Sequence, residues 1–340
     1  MFIIVSGLAY LTSCQTTKTL SIQILVPAQV TLPADQSHFI LINRIPLLSE
    51  HETPDSIDAG NIVIPFEYYE QLSWEAINGA LSVLDQSPKI DTVVLDTLQR
   101  EELERTFDVS SAVLDSSVIQ SICSGTSATG LIVLEDMKLS DSIDATPMFL
   151  ADSSDILAYY AYELLYPGIL WRVYSCRGEL LHEIRYSDTL IWEGSGMSPQ
   201  DAVNQIPPLE QILVNGIQYA GRIFAYSIAP TWVEVRRMYF SSGNKDMREA
   251  SRFAGENNWD AAARIWQVQA ETTDPELASN AAFNMALVSE INDRIDLAMT
   301  WINKSYELRG DDITMRYAQI LRTRFNQRRE LSKQIRSLEY

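Results

Sequence analysis

Hydrophobic and polar positions alternate differently in the two halves of the chain. Between residues 20 and 230, short apolar runs such as 39–43 and 131–135 alternate with longer stretches whose apolar residues recur every three or four positions. Short apolar runs bounded by turn residues are typical of buried strands, and the longer spacing predicts helices. From residue 245 onward only the helical spacing remains. The pattern therefore predicts a mixed sheet first and helices after it.

The first region predicts strands and helices in alternation, then a meander, then one long helix. Strands are predicted at residues 20–26, 39–43, 93–95, 131–135, 156–165, 170–174, 180–186 and 189–192. A helix at residues 159–166 is the alternative to the strand there. Helices are predicted at residues 68–84, 112–122, 199–206 and 209–228, the last ending before Pro230. This order indicates an α+β fold in which a mixed sheet carries packed helices.

A repeat is visible in the second region. Trp259 and Ile295 lie 36 residues apart, and other pairs share that offset. The repeat positions are Ala250 and Ala286, Trp259 and Ile295, Ala262 and Ala298, and Trp266 and Ile302. The unit resembles a tetratricopeptide repeat, which has about 34 residues in two helices. In that pattern the small residues allow the two helices of a unit to approach. The first large residue of each pair of helices, Trp259 or Ile295, opens the second helix, and Trp266 or Ile302 fills the groove between repeats.

Capping residues fit this two-helix unit. Asn258 and Asp293 are predicted to cap the second helices, Asp274 and Pro275 to begin the second repeat, and Gly310 to end its last helix. A terminal helix is predicted from the apolar positions Ile313, Tyr317, Ile320, Leu321 and Phe325. The alternative is a helical appendage whose period arises by chance.

The predicted domain organisation follows from these patterns. Residues 1–14 form a signal segment, 20–230 an α+β domain, 231–244 a connector, and 245–340 an all-α region of helical repeats. Two repeats are fewer than the three or so that stand alone. We therefore expect the repeats to dock on the first domain through the helix before Pro230 and residues 232–240.

The N-terminal stretch Leu11-Thr12-Ser13-Cys14 follows a short apolar run. It resembles the lipobox of bacterial lipoproteins, in which the cysteine receives lipid and becomes the mature N-terminus. The preceding run is about ten residues, too short for a membrane-spanning helix, which needs roughly 20. The basic flank of a signal peptide is missing, so we expect the true start to lie upstream of Met1. A buried first strand containing Cys14 is the alternative.

The residue after Cys14 is Gln15 rather than Asp, and no acidic cluster follows. For a lipoprotein this pattern indicates attachment to the outer membrane, facing the periplasm. The expected partners are thus the membrane, through the N-terminal lipid, and an unidentified protein.

The net charge of the chain limits the classes of partner that it is expected to bind. The formal net charge is −19, although residues 309–340 carry a small positive excess. An acidic body lacks the basic stripe that nucleic acid requires, so no nucleic-acid partner is expected.

Three cysteines and three histidines limit the chemistry. With Cys14 acylated, Cys123 and Cys176 remain, and the sequence leaves open whether they form a disulfide or are small buried residues. His38, His51 and His182 do not share metal-ligand spacing with another His or Cys. We expect neither a metal nor another cofactor.

Several polar residues are candidates for catalytic or binding groups. Asp96, Glu135 and Asp136 are predicted near strand ends, where they more often cap turns than act as acids or bases. Arg44, Arg236 and Arg237 suit a carboxylate or phosphate but are more often structural. Residues 124–130 lack the Lys and Ser/Thr of a phosphate loop, and residues 194–196 lack the full Gly-x-Ser-x-Gly motif. We assign no catalytic residue.

Four features together resemble an uncharacterised lipoprotein family of the Bacteroidetes known as a domain of unknown function. They are the lipobox, residues 27–33 followed by 42–44, residues 171–174, and residues 229–232 with Arg236, Arg237 and Tyr239 ahead of 242–244. The resemblance covers nearly the whole chain. It implies location and architecture but no catalytic residues.

These patterns predict a non-catalytic envelope lipoprotein that acts as a protein-interaction scaffold or assembly factor. The alternative is a ligand-binding or hydrolytic lipoprotein with a site in the α+β domain, near Asp96, Glu135 or the arginines. The two readings differ in where the functional residues lie: on the helical repeats in the first, and in a polar pocket of the α+β domain in the second.

Overall fold

The computed structural model describes residues 17–45, 56–59, 62–95, 113–149 and 155–335. These divide into two compact units. Residues 27–231 together with 331–335 form the α+β unit, and residues 17–26 together with 232–330 form the helical unit. Asp96 and Cys14 lie outside the described residues.

The strands and helices follow the chain in this order. The strands are β1 (Thr17–Val26), β2 (His38–Asn43), β3 (Ser56–Ala59), β4 (Ile62–Pro65), β5 (Thr92–Leu95), β6 (Gly130–Phe149), β7 (Ile156–Ser175), β8 (Leu180–Ser187), β9 (Leu190–Gly196) and β10 (Thr231–Phe240). The helices are α1 (Phe66–Leu84), α2 (Ser116–Cys123), α3 (Pro199–Val203), α4 (Leu209–Ile228), α5 (Lys245–Gly255), α6 (Trp259–Gln269), α7 (Pro275–Ile291), α8 (Ile295–Arg309) and α9 (Asp312–Gln334).

The main sheet of the α+β unit is mixed, which confirms the predicted class. Its order is β5-β2-β6-β7-β8, with β9 also on β7. Strand β2 runs parallel to β5 and β6, whereas β6, β8 and β9 run antiparallel to β7. The parallel strands are apolar on both faces, as expected for strands covered on both sides.

Helices pack on both faces of this sheet. On one face α1 and α4 cover Leu134 and Trp171, and the Trp171 ring stacks on Phe224 with centroids 4.4 Å apart. On the other face α2 covers Leu131 and Val133. Helices α1 and α4 approach so closely that a Cβ on Gly221 would lie 2.0 Å from the Ala76 carbonyl oxygen. Only glycine allows that contact.

Two strands are longer than the sequence predicts. The meander residues 156–165 and 170–174 form one strand, β7, which continues through Pro167. Pro167 lies between Leu165, where pairing with β9 ends, and Gly168, where pairing with β8 begins. A residue without an N–H is tolerated at such an interruption. Likewise β6 does not end at Glu135 but runs to Phe149, so the strand-end placement of Glu135 and Asp136 was wrong.

The helical unit contains a two-stranded sheet that the sequence did not predict. Residues 20–26 were assigned to the α+β domain, but β1 pairs with β10 and belongs to the helical unit. The predicted connector 231–244 contains β10 itself. Conversely, the α+β unit includes the end of α9 from Leu331. Gln334 is 5% exposed there and contacts Ala28.

Most predicted helix caps are confirmed. The side chains of Asn258 and Asp274 accept hydrogen bonds from the first backbone N–H groups of α6 and α7, Pro275 is the first residue of α7, and Gly310 ends α8 with φ +64°. Asp293 is not a cap: Arg294 occupies that position, and Asp293 has φ +54°. Its left-handed backbone ends the preceding helix instead.

The α5–α6 and α7–α8 junctions share one geometry. Asn257 has φ +59° and Asp293 has φ +54°, 36 residues apart. In each junction the next N–H donates to a carbonyl five residues earlier, Asn258 to Phe253 and Arg294 to Ser289, both at 2.8 Å. The two helix pairs therefore turn in the same way at equivalent positions.

The predicted terminal helix is confirmed as α9, but only some of its apolar positions are buried. Tyr317 and Leu321 are buried, but Ile313, Ile320 and Phe325 are each about two-fifths exposed. The buried face runs instead through Thr314, Tyr317, Leu321 and Arg324. Apolar residues alone therefore do not define the buried face, because Thr314 and Arg324 are polar and belong to it.

Candidate functional site

Arg44 and Glu135 meet in the α+β unit, although 91 residues separate them. Arg44 follows β2, and Glu135 is an extra residue where the register shifts between Leu134 and Asp136. Such a bulge redirects a side chain. The Arg44 guanidinium donates to Glu135 Oε2, and both side chains are at most 5% exposed.

The other oxygen of Glu135 is also engaged. The Tyr174 hydroxyl donates to Oε1 at 2.9 Å, and Arg172 Nη1 lies 3.6 Å from the same atom. Burial and the nearby charge of Glu135 raise the pKa of Tyr174 to about 12. Arg172 Nε in turn donates to Glu183 at 2.7 Å. Because both oxygens of Glu135 have partners, the cluster suits cross-strand stabilisation better than acid–base catalysis.

The remaining acidic candidates of this unit do not join that cluster. Asp136 Oδ2 lies 3.5 Å from Arg185 Nη1 on β8, so it takes part in a partly exposed ion pair. His38 Nδ1 is 3.8 Å from Asp91, and no group of three His, Cys, Asp or Glu arranged for a metal occurs within the described residues.

A buried carboxyl pair was missed in the sequence. Glu163 on β7 and Asp141 on β6 are 4% and 7% exposed. Burial, then a hydrogen bond to Asp141 and its charge, raise the pKa of Glu163 to about 7. Near neutral pH the Glu163 carboxyl is therefore only partly ionised. The only sequence signal was an acid at an inward position of an otherwise apolar strand.

Cys123 and Cys176 form a disulfide, which decides the question that the sequence left open. Their Cα atoms are 5.8 Å apart. The bond joins the end of α2 to the turn after β7. The same two segments are also linked by the Ser116 hydroxyl, which donates to the Gly178 carbonyl at 3.0 Å.

The helical unit has its own buried charge cluster, centred on Glu290. Its side chain is fully buried and pairs with Arg237 through two hydrogen bonds of 2.8 Å. The Tyr317 hydroxyl donates to it at 2.8 Å, and Arg324 Nε lies 3.7 Å away. Although burial lowers the pKa of Arg237, the hydrogen bonds and charge of Glu290 raise it overall. Burial also raises the pKa of Tyr317.

Beside this cluster lies a small cleft between β10, α7 and α9. Its volume is about 180 Å³. The lining residues are Arg236, Arg237, Met238, Phe283, Ile313, Arg316, Tyr317 and Ile320. Arg236 and Arg316 are exposed and, within the part of the chain that the structure describes, form no ion pair. We call this feature the arginine cleft.

The repeat positions lie in the core of the helical unit. Seven of them are fully buried, and Trp259 is half-buried. Tyr239 on β10 contacts both repeat tryptophans, with its ring centroid 6.1 Å from that of Trp259 and 5.9 Å from that of Trp266. These side chains therefore hold the helices together and to β10, rather than lining an exposed surface.

Two profiles of known protein families match parts of the chain. The profile described as "Domain of unknown function (DUF8603)" matches residues 37–240, more than half of the sequence. The chain belongs to the DUF8603 family. A second profile, "Domain of unknown function (DUF6340)", matches residues 248–323. The resemblance to a family of unknown function is thus confirmed, and the two matches fall on either side of α5's start.

Comparisons with individual proteins add little for this DUF8603 member. No curated protein matches it. One similar solved structure is the hypothetical protein CT253 from Chlamydia trachomatis, at 10% identity and a TM-score of 0.22. The match covers 55% of this chain and 98% of that one. Among the described helices, none is long and apolar enough to span a membrane.

Proposed function

We propose that this chain is a non-catalytic lipoprotein of the cell envelope that holds a partner protein through its helical unit. The observation that carries the proposal is the pair of equivalent helix junctions at Asn257 and Asp293, 36 residues apart. Helix pairs that repeat in this way stack into surfaces that bind other proteins. On this proposal the pairs are tetratricopeptide-like, and the resemblance to Bacteroidetes lipoproteins extends to their scaffold role.

The disulfide supports the envelope location. Disulfides persist in oxidising compartments such as the bacterial periplasm and are rare in the cytosol of mesophiles. Cys123 and Cys176 are bonded in this chain. The proposed location is the periplasmic face of the outer membrane.

The lipid on Cys14 would be attached to the helical unit. Cys14 lies three residues before Thr17, where β1 begins, and β1 belongs to that unit. Three extended residues span only about 10 Å. The proposed anchor would therefore hold the helical unit, and its partner, within a short reach of the membrane.

The buried clusters support a non-catalytic role. Glu135 and Glu290 are each paired with arginine and tyrosine side chains. Neither presents a free oxygen to a substrate. The exposed arginines of the arginine cleft are instead suited to contact with a partner.

The test places a photoreactive amino acid in the full chain, in cells that make it naturally. Deleting residues 245–340 would also remove Gln334 from the α+β unit, so single positions are the cleaner choice. Exposed Val268, Tyr306 and Ile320 probe the helical unit, and exposed Leu180 and Ile191 serve as matched controls. The proposal requires a discrete, reproducible adduct from the helical positions. Adducts from the α+β positions alone, or from none, would contradict it.

Lipidation is tested separately by metabolic labelling with a fatty-acid analogue. The gene should carry its own complete leader, and Cys14→Ala is the control. We expect label on the wild-type protein and none on the variant. Equal labelling of both would remove the anchor from the proposal.

A further inference from the structure

The arginine cleft combines an apolar floor with a cationic rim. Phe283 is 2% exposed and forms part of the floor, while Ile313 and Ile320 on α9 are each about 40% exposed at the edge. Arg236 on β10 and Arg316 on α9 are both exposed. Among the residues that the structure describes, no acidic side chain lines the cleft. A ligand that fits must present an apolar group inward and negative charge at two points.

The volume limits what the apolar part can be. Sites for drug-sized molecules and cofactors usually enclose about 300–1,000 Å³. A cavity of about 150 Å³ holds one benzene ring. At about 180 Å³ the arginine cleft therefore accommodates a single aromatic or aliphatic side chain. This is the size of an anchor at a protein interface rather than of a metabolite site.

The charge of the rim is available for a partner. Arg237 is committed to Glu290 through two hydrogen bonds. Arg236 and Arg316 have no such partner among the described residues, and Glu234, two positions from Arg236 on β10, forms no ion pair with it. Arginine binds carboxylates through a planar, two-pronged contact. The rim thus favours Asp or Glu side chains.

We infer that the arginine cleft binds a short acidic segment of a partner protein, in which one Leu, Ile or Phe is flanked by Asp or Glu. The apolar side chain enters against Phe283 and Ile320, and the flanking carboxylates pair with Arg236 and Arg316. This inference rests on the proposed scaffold function and names the chemistry of the partner.

A protein segment fits better than the other anionic candidates. Nucleic acid would be repelled by a chain of net charge −19. An acyl chain would need a longer apolar channel than a cleft of about 180 Å³ provides. Both remain measurable outcomes of the test, since vesicles and oligonucleotides serve as competitors.

The test pans a random dodecapeptide display library on the full wild-type chain and on an Arg236→Gln/Arg316→Gln double variant. Arg248→Gln/Arg264→Gln is the matched control, because both residues are exposed in the same unit but do not line the cleft. We expect wild type and control to enrich peptides with one large apolar residue between acids. An enriched peptide should bind the cleft variant at least about tenfold more weakly, as expected for the loss of charge-assisted hydrogen bonds.

Several results would overturn the inference. They are no enrichment, enrichment of neutral or basic peptides, equal binding by the cleft variant, or displacement of the peptide by phosphatidylglycerol vesicles or oligonucleotides but not by acidic peptides. Thermal unfolding of all variants checks that each is folded. If panning fails while photo-crosslinking at Val268 or Tyr306 still captures a discrete partner, the inference fails and the scaffold function stands.

Discussion

The side-chain amide of Gln334 hydrogen-bonds both backbone groups of Ala28, 306 positions earlier in the sequence. The Ala28 N–H donates to Gln334 Oε1 at 2.9 Å, and Gln334 Nε2 donates to the Ala28 carbonyl at 3.0 Å. These two bonds connect the end of α9 to the loop after β1, because one side-chain amide satisfies both backbone groups of a loop residue. Lys89 Nζ adds a contact of 3.4 Å to the Gln334 carbonyl.

Replacing Gln334 by Ala should destabilise the α+β unit. The change leaves the buried N–H and carbonyl of Ala28 without partners, and each unsatisfied group costs about 1–3 kcal/mol. We expect a loss of roughly 2 kcal/mol in the free energy of unfolding, measured by urea denaturation. Gln319→Ala is the matched control, because Gln319 is exposed on the same helix. Equal losses in the two variants would refute the role of this contact.

Removing the charge of Glu290 should strongly destabilise the helical unit. Glu290→Ala leaves the buried Arg237 without its carboxylate, whereas Arg324 keeps Asp293 at 3.5 Å. Breaking a buried ion pair in this way costs about 3–5 kcal/mol. Glu256→Ala removes an exposed partner of Arg252 and should cost less than about 0.5 kcal/mol. Thermal unfolding of both variants measures the difference. A Glu290 variant as stable as the Glu256 variant would contradict the assignment.

The raised pKa of Glu163 should make the free energy of unfolding depend on pH. The pKa of Glu163 is raised from 4.5 to about 7 by burial first and by Asp141 second. Between these values the folded state binds a proton that the unfolded state releases, so this contribution is complete below about pH 4.5 and is lost as the pH rises through about 7.

Urea denaturation at pH 5, 6, 7 and 8 tests this sign. The wild-type chain should lose roughly 2 kcal/mol from pH 5 to pH 8 relative to Glu163→Gln, which keeps the hydrogen bond without titrating. Glu67→Gln, at an exposed position, should retain the wild-type slope. A Glu163→Gln variant with an unchanged slope would show that this carboxyl is not the cause.

Loss of the disulfide should destabilise the α+β unit. The bond closes a loop across 53 positions, and removing such a link costs roughly 2–4 kcal/mol through the entropy of the unfolded chain. We expect Cys123→Ser and Cys123→Ser/Cys176→Ser to be destabilised by similar amounts. Maleimide labelling of the unreduced protein from cells checks the bond itself. Two reactive thiols in the native protein would contradict it.

Local signals in the sequence predicted most single elements. The helix at residues 209–228 has the predicted bounds because its apolar spacing and Pro230 define both ends. The caps at Asn258 and Asp274 were likewise predictable, since capping depends on residues within one turn. The bounds of strands β2 and β8 also agree with those predicted from the apolar pattern and the flanking turn residues.

Long-range pairing was not predictable from local pattern. An isolated strand such as β1 does not specify its partner, so its assignment to the helical unit depended on β10, about 210 residues later. Glu135 looked like the end of a strand because a charged residue followed an apolar run. Glu135 is buried because Arg44 and Arg172 pair with it, and only the folded sheet brings these residues together.

The arginine cleft also combines a residue that the sequence indicated with one that only folding brings to the site. Arg236 and Arg237 were candidates from sequence, and the structure separates them: Arg237 pairs with Glu290, while Arg236 remains exposed. Arg316 was not a candidate, because nothing in its neighbourhood on α9 marks it. It joins the cleft only through the packing of α9 beside β10 and α7.

The most direct test of the account compares crosslinking from one position in two backgrounds. A photoreactive residue at Ile320 is introduced into the full chain, with and without Arg236→Gln/Arg316→Gln, and adducts formed in the native cells are identified by mass spectrometry. We expect one discrete protein adduct, with a yield about tenfold or more lower in the double variant at unchanged expression. An adduct of equal yield in both backgrounds would contradict binding through the arginine cleft. No adduct in either background would contradict the scaffold function as well.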